Sequence, residues 1–323
     1  MPARRSRRPR LLANNDHVKY PLLVVCAGLL FGTTGTARAF APAGASSLSV
    51  GSARLALGGL LLGLIGLIAH WYRHRGQPRQ RPIVRPGEAL VSVVCGGSVM
   101  VFQATFFEGT RSNGVMVGTM LALGSAPLLA GLLEWVVLRK RPGLPWLVAT
   151  IIGVGGVVSL SWTTDVHDAI HPLGVVQSIT AGASFAVLSV GLKWMLGRGW
   201  QALDTAAAVM ASGSVMALAT LPWTDVSWLA EPRGMAVVAW LGVMTIAAAY
   251  TLNITGLTGT SAAAATTLNL SEPATATVLG IVVLGEHLTL FRGIGILAIL
   301  ASVILLGVTA RPEAVHKEIT ATT

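Results

Sequence analysis

The sequence predicts an all-α polytopic membrane protein of ten transmembrane helices in two inverted five-helix repeats. Three observations predict it. The 323 residues are 53% hydrophobic and only 11% charged, where soluble domains carry about 25% charged residues. Mean hydropathy is +0.69. Apolar runs long enough to cross a bilayer core, about 20 residues each, recur ten times between short polar stretches. Finally, the basic residues alternate with these runs in a topological pattern.

The ten spans are predicted at about residues 20–40, 47–70, 88–107, 114–138, 144–162, 172–195, 204–222, 235–255, 260–284 and 289–309. They leave short loops, a basic tail over 1–19 and a second tail over 310–323, and no room for a soluble domain. The first repeat is expected over 20–162 and the second over 163–309.

Placing the N-terminus in the cytoplasm puts eighteen of the 23 Lys and Arg inside, from Arg4, Arg5, Arg7, Arg8 and Arg10 through Lys193 and Arg198 to Arg311 and Lys317. Only Arg38, Arg54, Arg111, Arg233 and Arg292 then lie in the outer half, together with acidic loops at Asp165, Asp168, Asp225 and Glu231. By the positive-inside rule both termini are cytoplasmic. The net charge of +10 follows topology, so no nucleic-acid partner is expected. Trp71, Trp135, Trp146, Trp162, Trp194 and Trp223 sit near span ends, as interfacial aromatics do.

Taken in order, span one carries Cys26 and an expected interruption at Gly32-Thr33-Thr34-Gly35-Thr36, and it closes near Arg38. Its basic leader and Ala37-Arg38-Ala39 could be read as a signal peptide, but the run has the length of a membrane span and its loss would break the charge parity. Span two holds Arg54 about 10 Å below the outer face at 1.5 Å per residue. Arg54 either snorkels, as Arg38 can, or partners an acid such as Glu108 or a substrate carboxylate. Gly59 and Gly63 allow a close helix approach.

Span three contains Cys95, which like Cys26 is a small hydrophobe and no metal ligand, and Gln103, a weaker candidate for the same solute route. Span four has Ser125-Ala126-Pro127, and an interior proline removes a hydrogen bond and kinks a helix. Glu134 at its end is explained by interfacial solvation beside Arg139, as is Glu286 beside Arg292. Lys193, at the inner end of span six, reads as a topology determinant. Tyr250 and Asn253 form an (i, i+3) pair at the end of span eight.

Span nine places Glu272 about 18 Å along a helix, near the midplane. An ionised carboxylate there costs at least ~2.5 kcal/mol, so protonation, a cationic partner or a water-filled cavity must relieve it. Glu272 either meets a cationic solute group or a coupling proton, or fixes packing at a Pro273 kink. Thr266 and Asn269 precede it at three-residue steps, one helical face that should look inward. Span nine aligns with span four without gaps at an offset of 146 residues, pairing Ser125 and Pro127 with Ser271 and Pro273. Five spans is an odd number, so the second copy crosses in the opposite sense. Proteins of that kind place substrate at the midplane between repeats.

The FGTTGTARAF segment, Arg54 in SVGSARLALGG, Pro127, and LSEPATATVLGIVVLGEHLT resemble the EamA family of the drug/metabolite transporter superfamily over residues 20–309. The first half departs from that pattern, with Ala126 and Lys140 where the second half has Glu272 and Glu286. The resemblance implies a ten-helix secondary transporter of the cytoplasmic membrane. It would move small metabolites such as amino acids or related amines, as an exporter, by proton coupling or exchange. It also implies that spans one to four face spans six to nine. The kinks at Pro127 and Pro273 and the glycines Gly32 and Gly35 are hinge candidates. No Walker sequence is present. A non-transporting scaffold or a lipid-handling flippase or scramblase is the alternative.

An intramembrane enzyme is not expected. The seven His, at 17, 70, 74, 167, 171, 287 and 316, fall in loops, tails or span ends, and no Asp lies deep in a span. No cofactor and no metal are expected. The expected partners are a small-molecule substrate and membrane lipids, and monomer and homodimer both stay open.

Overall fold

The computed structural model describes residues 16–75, 85–161, 171–285 and 287–309. The tail arginines, Arg79, Arg81, Trp162, Asp165, His167, Asp168, Glu286, Arg311, His316 and Lys317 lie outside the described residues.

Among the described residues ten helices are long and apolar enough to cross a membrane: α1 Val18–Ala39, α2 Ser47–Arg73, α3 Pro86–Gly114, α4 Val117–Leu138, α5 Leu144–Ser161, α6 Pro172–Gly197, α7 Ala202–Trp223, α8 Pro232–Leu257, α9 Ala262–Leu284 and α10 Leu290–Thr309. There is no strand among the described residues. Each predicted span has its helix. Starts follow local chemistry: Ser46 Oγ accepts from Ser49 N–H, the Glu88 carboxylate accepts from Arg85 N–H, and Pro172 and Pro232 occupy first-turn positions.

Three departures have local causes. α3 runs seven residues past its predicted end, because Gly114 at φ 76 turns the chain straight into α4 without a polar loop. α1 is continuous through Gly32 to Thr36, so the interruption expected there does not exist. The helix break is in α9 instead. Pro273 has no N–H for the Asn269 carbonyl, so the backbone tightens, with Leu270 N–H on Thr267 O and Glu272 N–H on Asn269 O. Pro127, by contrast, sits buried inside a helix with no break at that residue.

The two halves exchange places in the packing. α1 lies against α8 and α9, α6 against α3 and α4, while α2 meets α7 and α5 meets α10. A Cβ on Gly28 of α1 would strike Ser271 of α9, and one on Gly182 of α6 would strike Ser125 of α4. The two Ser-x-Pro motifs thus receive a glycine from the first helix of the opposite half. α4 ends at Arg139 and α9 at Gly285, both left-handed, at that same 146-residue offset.

Lipid removes the hydrophobic drive between helices, so contact rests on close van der Waals packing at small residues. Gly59 faces the Met210 carbonyl and Ser214 of α7, whose hydroxyl donates to Ala56 O at 2.8 Å. Gly58 faces Gly242 of α8. At the end of this crossing nearest the α7–α8 connection Trp228 Nε1 donates to Ser49 Oγ, which donates to Asp225 O, each at 2.7 Å. Gly59→Leu should therefore lower stability in detergent by about 1–3 kcal/mol through overpacking. Gly155→Ala, with nothing within 4 Å, should leave the melting temperature where it was.

Candidate functional site

α2, α3, α1, α8 and α9 bring a charged cluster together. Arg54 Nε donates to Gln103 Oε1 at 3.2 Å, and Nη1 donates to Thr34 Oγ1 at 3.3 Å. Gly51, one turn before Arg54, makes this possible: a Cβ there would lie 2.6 Å from Gln103 Oε1. Arg54 does not partner Glu108, which bonds Arg111 at 2.8 Å on its own helix. Nor does it reach for the surface. Arg38 packs over the Phe107 ring, 5.2 Å from its centroid.

Glu272 occupies the first turn of the helix that restarts at Ser271. The positive end of the helix dipole favours a carboxylate there. Gly32 of α1 lets that turn approach, since a Cβ would lie 2.7 Å from Glu272 O and 2.5 Å from Thr275 Cβ. Gly35 is exposed with nothing within 4 Å. Arg54 interacts electrostatically with Tyr250, Glu272 and Arg38. Among the described residues, however, no direct ion pair joins Arg54 to Glu272. Both lie deep in the bundle and both keep part of their surface accessible.

The other predicted residues stand behind these two. Gln103 is 3% exposed, Thr266 2%, Asn269 5%, Asn253 7% and Tyr250 9%. Asn253 Nδ2 donates to Asn269 Oδ1 at 3.0 Å and so ties α8 to the α9 break. Because of that break Thr266, Asn269 and Glu272 do not share one continuous helical face. The Thr266 hydroxyl donates to Ala262 O and Ala263 O of its own helix. Tyr250 meets Phe31 edge-on at 5.1 Å. It follows a wide-turn π segment at Leu241–Ala248, a distortion found often at functional sites.

Two charged residues explained by their position at span ends have a different place. Glu134 is 1% exposed, and its carboxylate accepts from Ala262 N–H at 3.1 Å and Ala263 N–H at 2.8 Å, capping the start of α9. Lys193 is 8% exposed, and its ammonium donates to Leu257 O at 2.9 Å and Thr260 O at 2.6 Å at the end of α8. α4 and α6 thereby hold opposite ends of the α8–α9 turn. Interfacial solvation does not describe Glu134. Position near a span end was the only sequence signal for either residue, and it did not reveal which turn they meet.

Among the described residues no His, Cys, Asp or Glu cluster of three or more could hold a metal. A cavity of about 360 Å³ between α1, α8 and α9 is lined by Thr33, Thr36, Phe40, Trp240 and Leu279. It carries no charged side chain and lies on the face of α1 turned away from Thr34 and Arg54.

The chain has marked likenesses. The profile of the EamA-like transporter family matches it twice, at residues 18–162 and 172–308. It is 35% identical over 297 residues to "Uncharacterized transporter YwfM" of Bacillus subtilis (strain 168), covering 91% of this chain and 95% of that one. It is 26% identical over 308 residues to "Threonine/homoserine exporter RhtA" of Escherichia coli (strain K12), covering 92% and 94%. A solved crystal structure has the same fold, with a TM-score of 0.71 at 20% identity over 90% of this chain and 97% of the other. Ten membrane-length helices, packing that exchanges the two halves, and a twofold profile match place the protein as a multi-pass membrane transporter of the EamA-like transporter family.

Proposed function

We propose that the protein is a secondary transporter exporting zwitterionic amino acids or related amines across the cytoplasmic membrane, with both termini cytoplasmic. The observation that carries this reading is that Arg54 and Glu272, opposite in charge, both lie deep in the bundle, both keep part of their surface accessible and, among the described residues, form no direct ion pair. A buried cation and anion that do not neutralise each other each need a partner. An amino acid offers its carboxylate to Arg54 and its ammonium to Glu272, and each charged hydrogen bond contributes about 1.5–3 kcal/mol. RhtA, an exporter of threonine and homoserine by name, supports the amino-acid class.

The energy comes from an ion gradient or an exchanged solute. The α9 break at Asn269–Leu270 beside Pro273 supplies a bending point for alternating access, whereas Pro127, at the matching position of the other half, lies in unbroken helix. The distribution of Lys and Arg supports the orientation, and it turns the α8–α9 loop toward the cytoplasm.

Counterflow in proteoliposomes with radiolabelled amino acids and amines, with and without a pH gradient, tests the reading. Amino acids should move in wild type, and Glu272→Gln should reduce initial rates by about 10- to 150-fold, the loss of one charged contact. Equal rates in wild type and Glu272→Gln would remove Glu272 from the mechanism. No movement of any panel member would favour the scaffold or lipid-handling reading.

A further inference from the structure

The cavity of about 360 Å³ between α1, α8 and α9 lies apart from the charged cluster. One stripe of α1, Thr33, Thr36 and Ala37 with Phe40 just past the helix end, faces one stripe of α8, Ala236, Val237 and Trp240. Leu279 of α9 completes the lining. α1 ends, α8 begins and α9 ends on the same side of the bundle, and Thr33, Trp240 and Leu279 lie within about 12 Å of those ends at 1.5 Å per residue. The cavity therefore occupies one half of a membrane core about 30 Å thick.

Phe40, Ala236 and Trp240 are exposed, so the cavity opens on the flank of the bundle, where lipid lies. Its Thr33 and Trp240 groups are already satisfied: Trp240 Nε1 donates to Thr33 Oγ1 at 3.1 Å, and Thr33 Oγ1 donates to Leu30 O at 2.7 Å. No charged side chain lines it. An apolar recess at this depth suits an acyl chain.

Arg233 adds the polar end of the site. It precedes Ala236, Val237 and Trp240 by three, four and seven residues, on the same face of α8 and one turn nearer the membrane surface. It is exposed, and among the described residues it forms no ion pair. A guanidinium at headgroup level matches the geometry of a phosphate.

We propose that a glycerophospholipid of the leaflet on this side binds here, with one acyl chain in the cavity and its phosphate on Arg233. α1 belongs to the first half and α8 and α9 to the second, so the acyl chain stands in the seam between the halves. The site does not depend on what the charged cluster transports.

The test is photolabelling of the full chain in proteoliposomes of phosphatidylethanolamine and phosphatidylglycerol, with a phosphatidylglycerol tracer that carries a diazirine in one acyl chain. Adducts are counted by peptide mass spectrometry on the α1 and α9 segments that line the cavity. Val215 of α7 and Leu297 of α10, 65% and 67% exposed at a similar depth from the same side, report ordinary lipid contact. Cavity labelling should exceed theirs by about fivefold or more, and Arg233→Gln should lower it about fivefold, the share of one basic residue. Ala236→Trp, which fills the recess, should bring it to the level of Val215 and Leu297. Neither variant should change labelling at those two positions. Monodispersity in detergent is checked first. If Ala236→Trp does not fold, Arg233→Gln, a change at the exposed surface, decides the question. Cavity labelling equal to that of Val215 and Leu297, or unchanged in a folded variant, overturns the site. Labelling below theirs would show that protein covers the recess, and overturns it too.

Discussion

Lys193→Met and Glu134→Ala should each be among the most destabilising single substitutions in the protein. Each side chain is buried and bonded to the buried backbone of one turn, Lys193 to Leu257 O and Thr260 O, Glu134 to Ala262 N–H and Ala263 N–H. Four orphan donors and acceptors at the α8 end and α9 start are satisfied this way. Removing one member leaves backbone groups unpaired and a buried charge less compensated, at a cost of about 3–5 kcal/mol. Replacing both with apolar residues of similar volume should cost less than the sum of the singles, because the two act on one turn. Thermal unfolding in detergent by intrinsic fluorescence gives the comparison. Strict additivity, or a shift for either single change no larger than that of Gly155→Ala, would show that the turn holds without them.

Arg54→Ala should abolish transport while leaving the fold assembled. Arg54 donates to Gln103 and Thr34 and keeps part of its surface accessible. In the amino-acid reading its remaining donors hold the substrate carboxylate, worth about 1.5–3 kcal/mol, or roughly 10- to 150-fold in apparent affinity. Arg54→Lys should recover part of this, since Lys keeps the charge and loses the planar fork. Gln103→Leu should give a smaller loss. It leaves the guanidinium in place but removes the acceptor that orients it. Concentration dependence of counterflow separates these outcomes, with size-exclusion profiles confirming assembly. Full activity in Arg54→Ala would leave the substrate carboxylate without its proposed partner and sink the zwitterion reading.

The hydrogen bonds of Arg54 and the caps at Glu134 and Lys193 were legible to different degrees. Arg54 and Glu272 stand out in any reading, because an ionisable residue deep in an apolar run is costly and needs a reason. Gln103 was recognisable as a polar residue in the same stretch. Thr34 and Phe31 were not, since Thr and Phe are ordinary residues in a membrane helix. Glu134 and Lys193 were disguised by position. Near span ends charge is common, and nothing in their neighbours points to a turn more than sixty residues further along the chain.

The sequence by itself determined the number of the spans, the internal repeat and the two charges deep in the bundle. Each is a property of consecutive residues: apolar length against bilayer thickness, a Ser-x-Pro repeated at fixed offset, a charge where lipid would forbid one. Tertiary structure decided which faces meet. α1 stays straight where glycines suggested a break, because Gly28 and Gly32 serve the contact with α9. α9 breaks at Asn269–Leu270, where Asn253 and the Glu272 turn take up the change. In a soluble helix an apolar stripe announces the buried face. A membrane helix is apolar all round, so partner choice rests on glycine-sized gaps and single hydrogen bonds, visible only once both helices are in place.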